Sequence, residues 1–201
     1  MRTPYDEKYA GEDYYWGFRP SRTCYKVLEL MPPDRPLRLL DVGCGEGRNA
    51  VFFARNGYQV TAFDLSATGV EKTKKYAERV GVRVRVFQAD LNSYRLQEDY
   101  DIIFSTGVLQ YVPPHLRKEL LEDYKAHTTE GGLHVLSVFV RKPFIARAPD
   151  AEDTAHPWIS GELFTHYHDW KIEYLTEEIF DCMSGGIPHR HAVNRIVARK
   201  V

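Results

Sequence analysis

The chain has 201 residues, of which 43% are apolar and 27% charged, with a formal net charge of −1. We interpret residues 1–201 as a single globular domain with a sizeable core, and the near-zero charge gives no field that would attract nucleic acid or an anionic membrane. No apolar run approaches the roughly 18 residues of a membrane span, and three widely spaced cysteines favour a reducing compartment. We therefore expect a cytoplasmic protein, a monomer or homodimer, with neither nucleic acid nor membrane as partner.

The first 23 residues carry aromatic side chains without a regular period. These are Tyr5, Tyr9, Tyr14, Tyr15, Trp16 and Phe18. Such side chains offer a large apolar area, and tyrosine and tryptophan add a polar tip. The segment is therefore interpreted as one that packs its aromatic side chains on the surface of the domain, as a lid over a ligand, or as both. A short helix is predicted next, at Thr23–Leu30, and prolines end it.

From residue 37 onward, short apolar runs alternate with helical patterns, and we take 37–201 as the core of the domain. The predicted strands are Arg38–Val42, Tyr58–Phe63, Val82–Phe87, Tyr100–Ser105 and Leu133–Val140. The helices predicted between them are Arg48–Arg55, 66–80 and 113–128. This alternation predicts an α/β fold, a Rossmann-like, doubly wound, mostly parallel sheet with helices on both faces.

The chain after residue 141 follows a different pattern. A polar segment leads to a short predicted helix, Gly161–His168. Two strand-like runs follow, Trp170–Leu175 and His191–Val201, with Glu177–Pro188 between them. Because no crossover helix separates these runs, they predict a C-terminal antiparallel strand hairpin at one edge of the sheet.

A glycine-rich turn follows the first predicted strand. Gly43, Gly45 and Gly47 stand at alternate positions directly after an apolar run that contains Asp41. Glycine permits a sharp turn and lets a ligand approach the backbone, and the next helix presents its free N–H groups there. In an open α/β sheet a ligand lies beyond the carboxyl ends of the strands. We therefore expect the site at this turn and at the neighbouring strand ends.

Two further strand ends carry acidic residues. Asp64 ends the second predicted strand, 21 residues after Gly43, where it could accept both hydroxyl groups of a ribose. Asp90 follows the third strand and could receive an adenine amino group, while the backbone N–H of Leu91 reaches a ring nitrogen. A single aspartate at such a place is commonly a turn residue. Acids and glycines at three consecutive strand ends together favour a ligand that contains adenosine.

The glycine spacing narrows the choice of adenosine ligand. The dinucleotide fingerprint Gly-x-Gly-x-x-Gly fails at its third glycine, where this chain has Arg48. Asp41, Glu46 and Asp64 predict a negative rim, which suits a cationic ligand better than one with a pyrophosphate. S-adenosylmethionine brings such a cation in its sulfonium group.

These motifs resemble those of the class I S-adenosylmethionine-dependent methyltransferases, over about residues 37–201. The narrower pattern resembles the tellurite-resistance methyltransferase group. It consists of Asp41-x-Gly-Cys-Gly-x-Gly-Arg-Asn49, Asn56-Gly57-Tyr58, Asp64, Asp90-Leu91-Asn92, Tyr100-Asp101, Ser105-Thr106 and Gly161-Glu162-Leu163. The resemblance implies S-adenosylmethionine as cofactor, S-adenosylhomocysteine as product, and a small soft nucleophile as acceptor, either a tellurite or selenite oxyanion or a small thiol.

The resemblance also implies which residues bind the cofactor. They are Asp41, Gly43, Cys44, Gly45, Arg48, Asn49, Asp64, Leu65, Asp90, Leu91, Ser105 and Thr106. Gly43 and Gly45 would bind the methionine part, Asp64 the ribose, and Asp90 with Leu91 the adenine. Ser105 would lie beside the transferred methyl group.

The acceptor-side candidates lie near the terminal hairpin. His189 and His191 share one face of a strand, while Arg190 points to the other. We predict these three as the catalytic residues, which would clamp an oxyanion or accept a proton; the alternative is that they are surface residues of an edge strand. The other histidines have no cysteine or acid at ligand spacing, so we expect no metal site.

Three other functions stay open. A nicotinamide-dependent oxidoreductase is disfavoured by the missing third glycine and by the terminal hairpin. A non-catalytic S-adenosylmethionine-binding module would lack an open channel to the methyl group. A protein or RNA methyltransferase is disfavoured by the near-zero charge and by Ser105-Thr106-Gly107 where an Asn-Pro-Pro-Tyr-type motif would stand. We therefore expect a small-molecule acceptor.

Overall fold

The computed structural model describes residues 3–149 and 151–201; the first two residues of the predicted N-terminal segment, and residue 150, lie outside this description. The strands are β1 Arg38–Val42, β2 Gln59–Asp64, β3 Val84–Gln88, β4 Tyr100–Thr106, β5 Thr128–Arg141, β6 Trp158–Ile159, β7 Lys171–Cys182 and β8 His189–Arg199. The α-helices are α1 Pro4–Lys8, α2 Arg22–Leu30, α3 Arg48–Arg55, α4 Ala67–Arg79, α5 Arg117–Ala126 and α6 Glu162–Thr165. None of the described helices is long and apolar enough to cross a membrane.

The strands form one sheet in the order β3-β2-β1-β4-β5-β8-β7, with the short β6 paired to β5. Strands β1 to β5 are parallel, whereas β8 runs antiparallel to β5 and to β7. The strand order reverses between β1 and β4, which is where an open α/β sheet binds its ligand. The predicted Rossmann-like fold with a C-terminal antiparallel hairpin is confirmed.

The central strands are buried on both faces. Leu40 and Ile103 enter one apolar core, where Leu121 of α5 packs, and their neighbours Leu39 and Ile102 enter the other, where Phe53 of α3 packs. Because side chains alternate along a strand, a nearly continuous apolar run serves both cores. This explains why β1 and β4 are readable from sequence as uninterrupted hydrophobic segments.

Three predicted element bounds are wrong by more than three residues. Strand β7 continues to Cys182, although 177–188 was expected to lie between strands; only 183–188 do so, with a 3₁₀ turn at Ser184–Gly186. Strand β5 begins at Thr128 instead of 133, and the helix predicted from residue 113 begins as an α-helix only at Arg117. In each case pairing with a distant strand, or a proline-led turn, overrides the local pattern.

The core packing of β4 gives a first test. Replacing the fully buried Ile103 by alanine should lower the free energy of unfolding by about 2–5 kcal/mol, because it removes buried methylenes and leaves a cavity. Ile159, 71% exposed, is the matched control, and its replacement by alanine should change stability by less than about 0.5 kcal/mol. Urea denaturation followed by circular dichroism measures both, and equal losses would contradict the assignment of β4 to the core.

Candidate active site

The glycine turn after β1 is fastened to the end of β2. The backbone N–H groups of Gly43 and Cys44 donate to the carbonyl oxygen of Phe63 at 2.9 and 3.0 Å, and that of Gly45 donates to Asp64 Oδ2 at 2.8 Å. Gly43 has a φ of +69°, and a Cβ there would lie 2.6 Å from the Val108 side chain. Only glycine fits at position 43, because its φ is positive and the Val108 side chain leaves no space for a Cβ atom.

Asp64 is half-buried where β2 ends. Its Oδ1 accepts a hydrogen bond from the backbone N–H of Ser66 at 2.8 Å, in addition to the bond from Gly45. Burial raises the pKa of this carboxyl, although the backbone hydrogen bonds act in the opposite direction. Each carboxylate oxygen has two acceptor positions, so this side chain retains capacity for ligand hydroxyl groups.

The end of β3 also offers polar groups. Asp90 Oδ1 accepts from the backbone N–H of Asn92 at 2.9 Å, and Asn92 Nδ2 donates to the carbonyl oxygen of Tyr111 at 3.3 Å. The Asn92 Oδ1 atom is buried and has no hydrogen-bond partner among the residues that the structure describes. Such an atom carries a desolvation cost unless a ligand or water satisfies it, so it suits a ligand with a hydrogen-bond donor.

One cavity of about 570 Å³ joins these strand ends, a size suited to a small-molecule ligand. Ten of the predicted cofactor residues line it, namely Gly43, Cys44, Gly45, Arg48, Asn49, Asp64, Leu65, Asp90, Leu91 and Thr106. Asp41 and Ser105 do not line it. The Ser105 hydroxyl donates to the carbonyl oxygen of Val42 at 3.2 Å, so it holds β4 to β1.

The predicted negative rim needs correction. Glu46 is buried and pairs with Lys72 of α4, whose Nζ lies 2.8 Å from Glu46 Oε1, so its charge is offset inside the protein. Asp41 is fully buried, and its Oδ2 has no partner within the described chain. Burial, reinforced by the charge of Asp64, raises the pKa of Asp41 to about 7, so Asp41 carries only part of a charge near neutral pH.

The N-terminal segment is anchored to the start of α4 through Asp6. Ser66 Oγ and the backbone N–H of Thr68 donate to Asp6 Oδ1 at 2.6 and 3.2 Å, and the backbone N–H of Thr3 donates to Asp6 Oδ2 at 2.7 Å. Burial alone would raise the pKa of Asp6, but these hydrogen bonds hold it well below its ordinary value. Helix α1 is therefore fixed beside the glycine turn.

Aromatic side chains of the same segment form one wall of the cavity. Tyr5, Tyr9 and Trp16 line it. The Tyr5 hydroxyl lies 3.0 Å from that of Tyr111, and Trp16 Nε1 donates to the Tyr9 hydroxyl at 3.0 Å. The aromatic segment thus packs on the domain over the expected ligand; that it opens as a lid stays a prediction.

The terminal hairpin forms another wall of the cavity. His191 lines the cavity and packs against Phe139, with ring centroids 4.8 Å apart. His189 Nε2 lies 2.9 Å from His191 Nε2, whereas Arg190 is exposed and is not among the residues that line the cavity. The structure therefore brings the two histidines together, but of the three predicted catalytic residues only His191 lines the cavity.

Arg195, which sequence reasoning missed, also lines this wall. It occupies the position four residues after His191 on β8, and side chains two and four residues apart share a strand face. That periodicity was the available signal. Arg195 Nη1 lies 2.5 Å from Glu178 Oε2, so its guanidinium is held at the cavity by the neighbouring strand.

Comparison with known proteins identifies relatives over most of the chain. A family model described as "Tellurite resistance protein TehB" matches residues 8–187. The chain is 34% identical to "Hemagglutinin 1" of Eikenella corrodens, over 83% of this chain and 55% of that protein. It is 28% identical to the "Probable S-adenosyl-L-methionine-dependent methyltransferase TehB" of Haemophilus influenzae, over 74% of this chain and 51% of that protein. The chain thus spans about half the length of these curated relatives.

The fold agrees with that match. The crystal structure of TehB from Haemophilus influenzae superimposes with a TM-score of 0.80 at 22% identity, covering 98% of this chain and 66% of that one. The glycine turn, the acids at the ends of β2 and β3 and the terminal hairpin are the features from which the resemblance was drawn. With the match of the family model over residues 8–187, they show that this chain belongs to the tellurite resistance protein TehB family.

Proposed function

We propose that this chain transfers a methyl group from S-adenosylmethionine to a small soft nucleophile. The observation that carries the proposal is that one cavity joins ten residues expected to bind the cofactor to a separate wall on the terminal hairpin. A methyltransferase needs a cofactor site and an acceptor site in contact, and a pure binding module does not. Residues proposed for the cofactor site and residues proposed for the acceptor site line the same cavity.

The residues present fit the cofactor. Gly43 and Gly45 line the cavity where the methionine part is proposed to bind, and Asp64 retains acceptor capacity for the ribose. Asp90 and Asn92 line the same cavity, and we propose that they receive the adenine amino group; Asn92 Oδ1 has no hydrogen-bond partner among the described residues. When bound, S-adenosylmethionine supplies a methyl group activated by the sulfonium. The protein contributes orientation and exclusion of water.

The hairpin wall suits a small anionic acceptor. Phe139 and Phe180 provide an apolar surface, and Arg195 and His191 supply polar and positively charged groups beside it. A nucleophile that arrives as an anion needs no general base, so positioning is the main task of these side chains. We propose a tellurite or selenite oxyanion or a small thiol as acceptor, with His189 and His191 beside it and Arg190 at the outer face of the same strand.

The cofactor assignment is tested at Asp64. Asp64→Ala should weaken binding of S-adenosylhomocysteine by about 1.5–3 kcal/mol, roughly 10- to 150-fold, because hydrogen bonds to a charged group are lost. The exposed Asp34 gives the control, since Asp34→Ala should bind as the unchanged protein does. Isothermal titration calorimetry measures both, and unchanged affinity in Asp64→Ala with a native circular dichroism spectrum would remove Asp64 from the site.

The raised pKa of Asp41 predicts a pH dependence. Below about pH 7 this carboxyl is mostly neutral, and above it the carboxylate attracts a nearby cation. S-adenosylmethionine has a sulfonium cation and S-adenosylhomocysteine does not, so the ratio of their affinities should rise in favour of S-adenosylmethionine between about pH 6 and 8. In Asp41→Asn the ratio should be flat. A flat ratio in the unchanged protein would show that Asp41 does not sense the sulfonium.

The acceptor is tested by measuring release of S-adenosylhomocysteine from purified protein. The panel contains tellurite, selenite, small thiols and a thiopurine, with nicotinamide cofactors titrated separately. We expect turnover with the oxyanions or the thiols, and at least a tenfold loss of kcat/KM in Arg195→Gln with little change in cofactor affinity. Silence over the whole panel, with tight cofactor binding, would contradict the proposed acceptor class and favour a binding module or a larger acceptor.

A further inference from the structure

The end of the β7–β8 hairpin gathers a cysteine and two histidines. Cys182, His189 and His191 each offer one ligating atom, and these atoms all lie within 4.8 Å of one another. Cys182 pairs directly with His189 across the hairpin, and His191 lies two residues further along the same strand face. The strand register, and not the linear spacing, brings the three side chains together.

The orientation of His189 is that of a metal ligand. Its Nδ1 lies 2.7 Å from the carbonyl oxygen of Ile187, which can only accept, so Nδ1 carries a hydrogen. In the neutral imidazole the Nε2 lone pair is then directed at His191 Nε2, 2.9 Å away. Metal-bound histidines commonly donate their second nitrogen to a backbone carbonyl, which fixes the tautomer in the same way.

The sulfur of Cys182 is held in position by Ser184. The backbone N–H of Ser184 donates to Cys182 Sγ at 3.4 Å, and the Ser184 hydroxyl lies 3.2 Å from the same sulfur. Cys182 is half-buried, whereas Cys24 and Cys44 are buried elsewhere in the fold. A cation can therefore reach this thiol from the cavity.

We propose that Cys182, His189 and His191 bind a divalent transition-metal ion of the zinc class. One thiolate and two imidazoles form a set that Zn²⁺ favours, and bond lengths of about 2.0–2.3 Å place such ligand atoms roughly 3.3–3.7 Å apart in a tetrahedron. The two imidazole nitrogens, 2.9 Å apart, are already slightly closer than this, and Cys182 Sγ lies within 4.8 Å of the ligating atom of each histidine. The expectation of no metal site, drawn from linear spacing, is thereby revised in this proposal.

Three protein ligands leave a fourth coordination position. Cys182 and His191 both line the main cavity, so this position opens toward the space proposed for the acceptor. A thiol or an oxyanion would ligate the ion there as its anion. The binding of the acceptor to the metal ion rests on the proposed function, whereas the metal site itself does not.

The test uses purified full-length protein after exhaustive dialysis against a chelator. Zn²⁺ is titrated in the presence of a chromophoric chelator, and we expect one ion per chain. Cys182→Ser and His191→Gln should each weaken Zn²⁺ binding by more than roughly a hundredfold, since even the loss of an outer partner costs 10- to 100-fold. The exposed His115 is the matched control, and His115→Gln should bind as the unchanged protein does.

A second measurement guards against variants that fail to fold. Co²⁺ added to the unchanged protein should give a thiolate-to-cobalt charge-transfer band in the near ultraviolet, which Cys182→Ser should lack while keeping a native circular dichroism spectrum. Absence of stoichiometric Zn²⁺ binding, or a cobalt spectrum without the thiolate band, would overturn the proposal. Calorimetry with S-adenosylhomocysteine on the same samples keeps the two proposals apart, because a loss of cofactor binding contradicts the methyltransferase and leaves the metal site standing.

Discussion

The arrangement of the site depends on the hydrogen bonds that one half-buried carboxylate accepts. Asp64 receives the backbone N–H of Gly45 on one oxygen and that of Ser66 on the other, so it fixes both the glycine turn and the start of α4. Ser66 in turn donates to Asp6, which anchors the aromatic segment over the cavity. A single strand-end side chain therefore sets the positions of two walls of the site, in addition to its proposed contact with the ribose.

The cofactor half of the site could be predicted because its determinants are local. Strand β1 is found at Arg38–Val42, as predicted, since a central strand covered on both faces is a continuous apolar run. Once the strands are known, parallel pairing brings their carboxyl ends to one edge of the sheet. The residues after β1, β2 and β3 must then meet, and the structure places Gly45, Asp64 and Asp90 around one cavity.

The electrostatics of the same site could not be predicted from the pattern. Glu46 and Lys72 are 26 residues apart, and only the packing of α4 against the glycine turn brings their charged atoms to 2.8 Å. The protonation of Asp41 likewise depends on complete burial and on the charge of Asp64. The formal charges near the motif therefore overstate the electrostatic field at the ligand. Glu46 is paired with Lys72, and burial raises the pKa of Asp41 so that it is partly neutral.

The acceptor half of the site was harder still to predict from sequence, because a strand at the edge of a sheet can carry polar side chains. Glu177 and Glu178 were interpreted as part of a loop, yet they lie within β7, where one face of the outermost strand meets solvent. Extending β7 to Cys182 moves the end of the hairpin to the cavity and pairs Cys182 with His189. A cysteine seven and nine residues before two histidines has no metal signature until that register is known. The chemistry proposed for this end of the cavity therefore depends on the pairing of β7 with β8. A shift of that pairing by one residue would move Cys182 to the other face of the sheet and separate it from the two histidines.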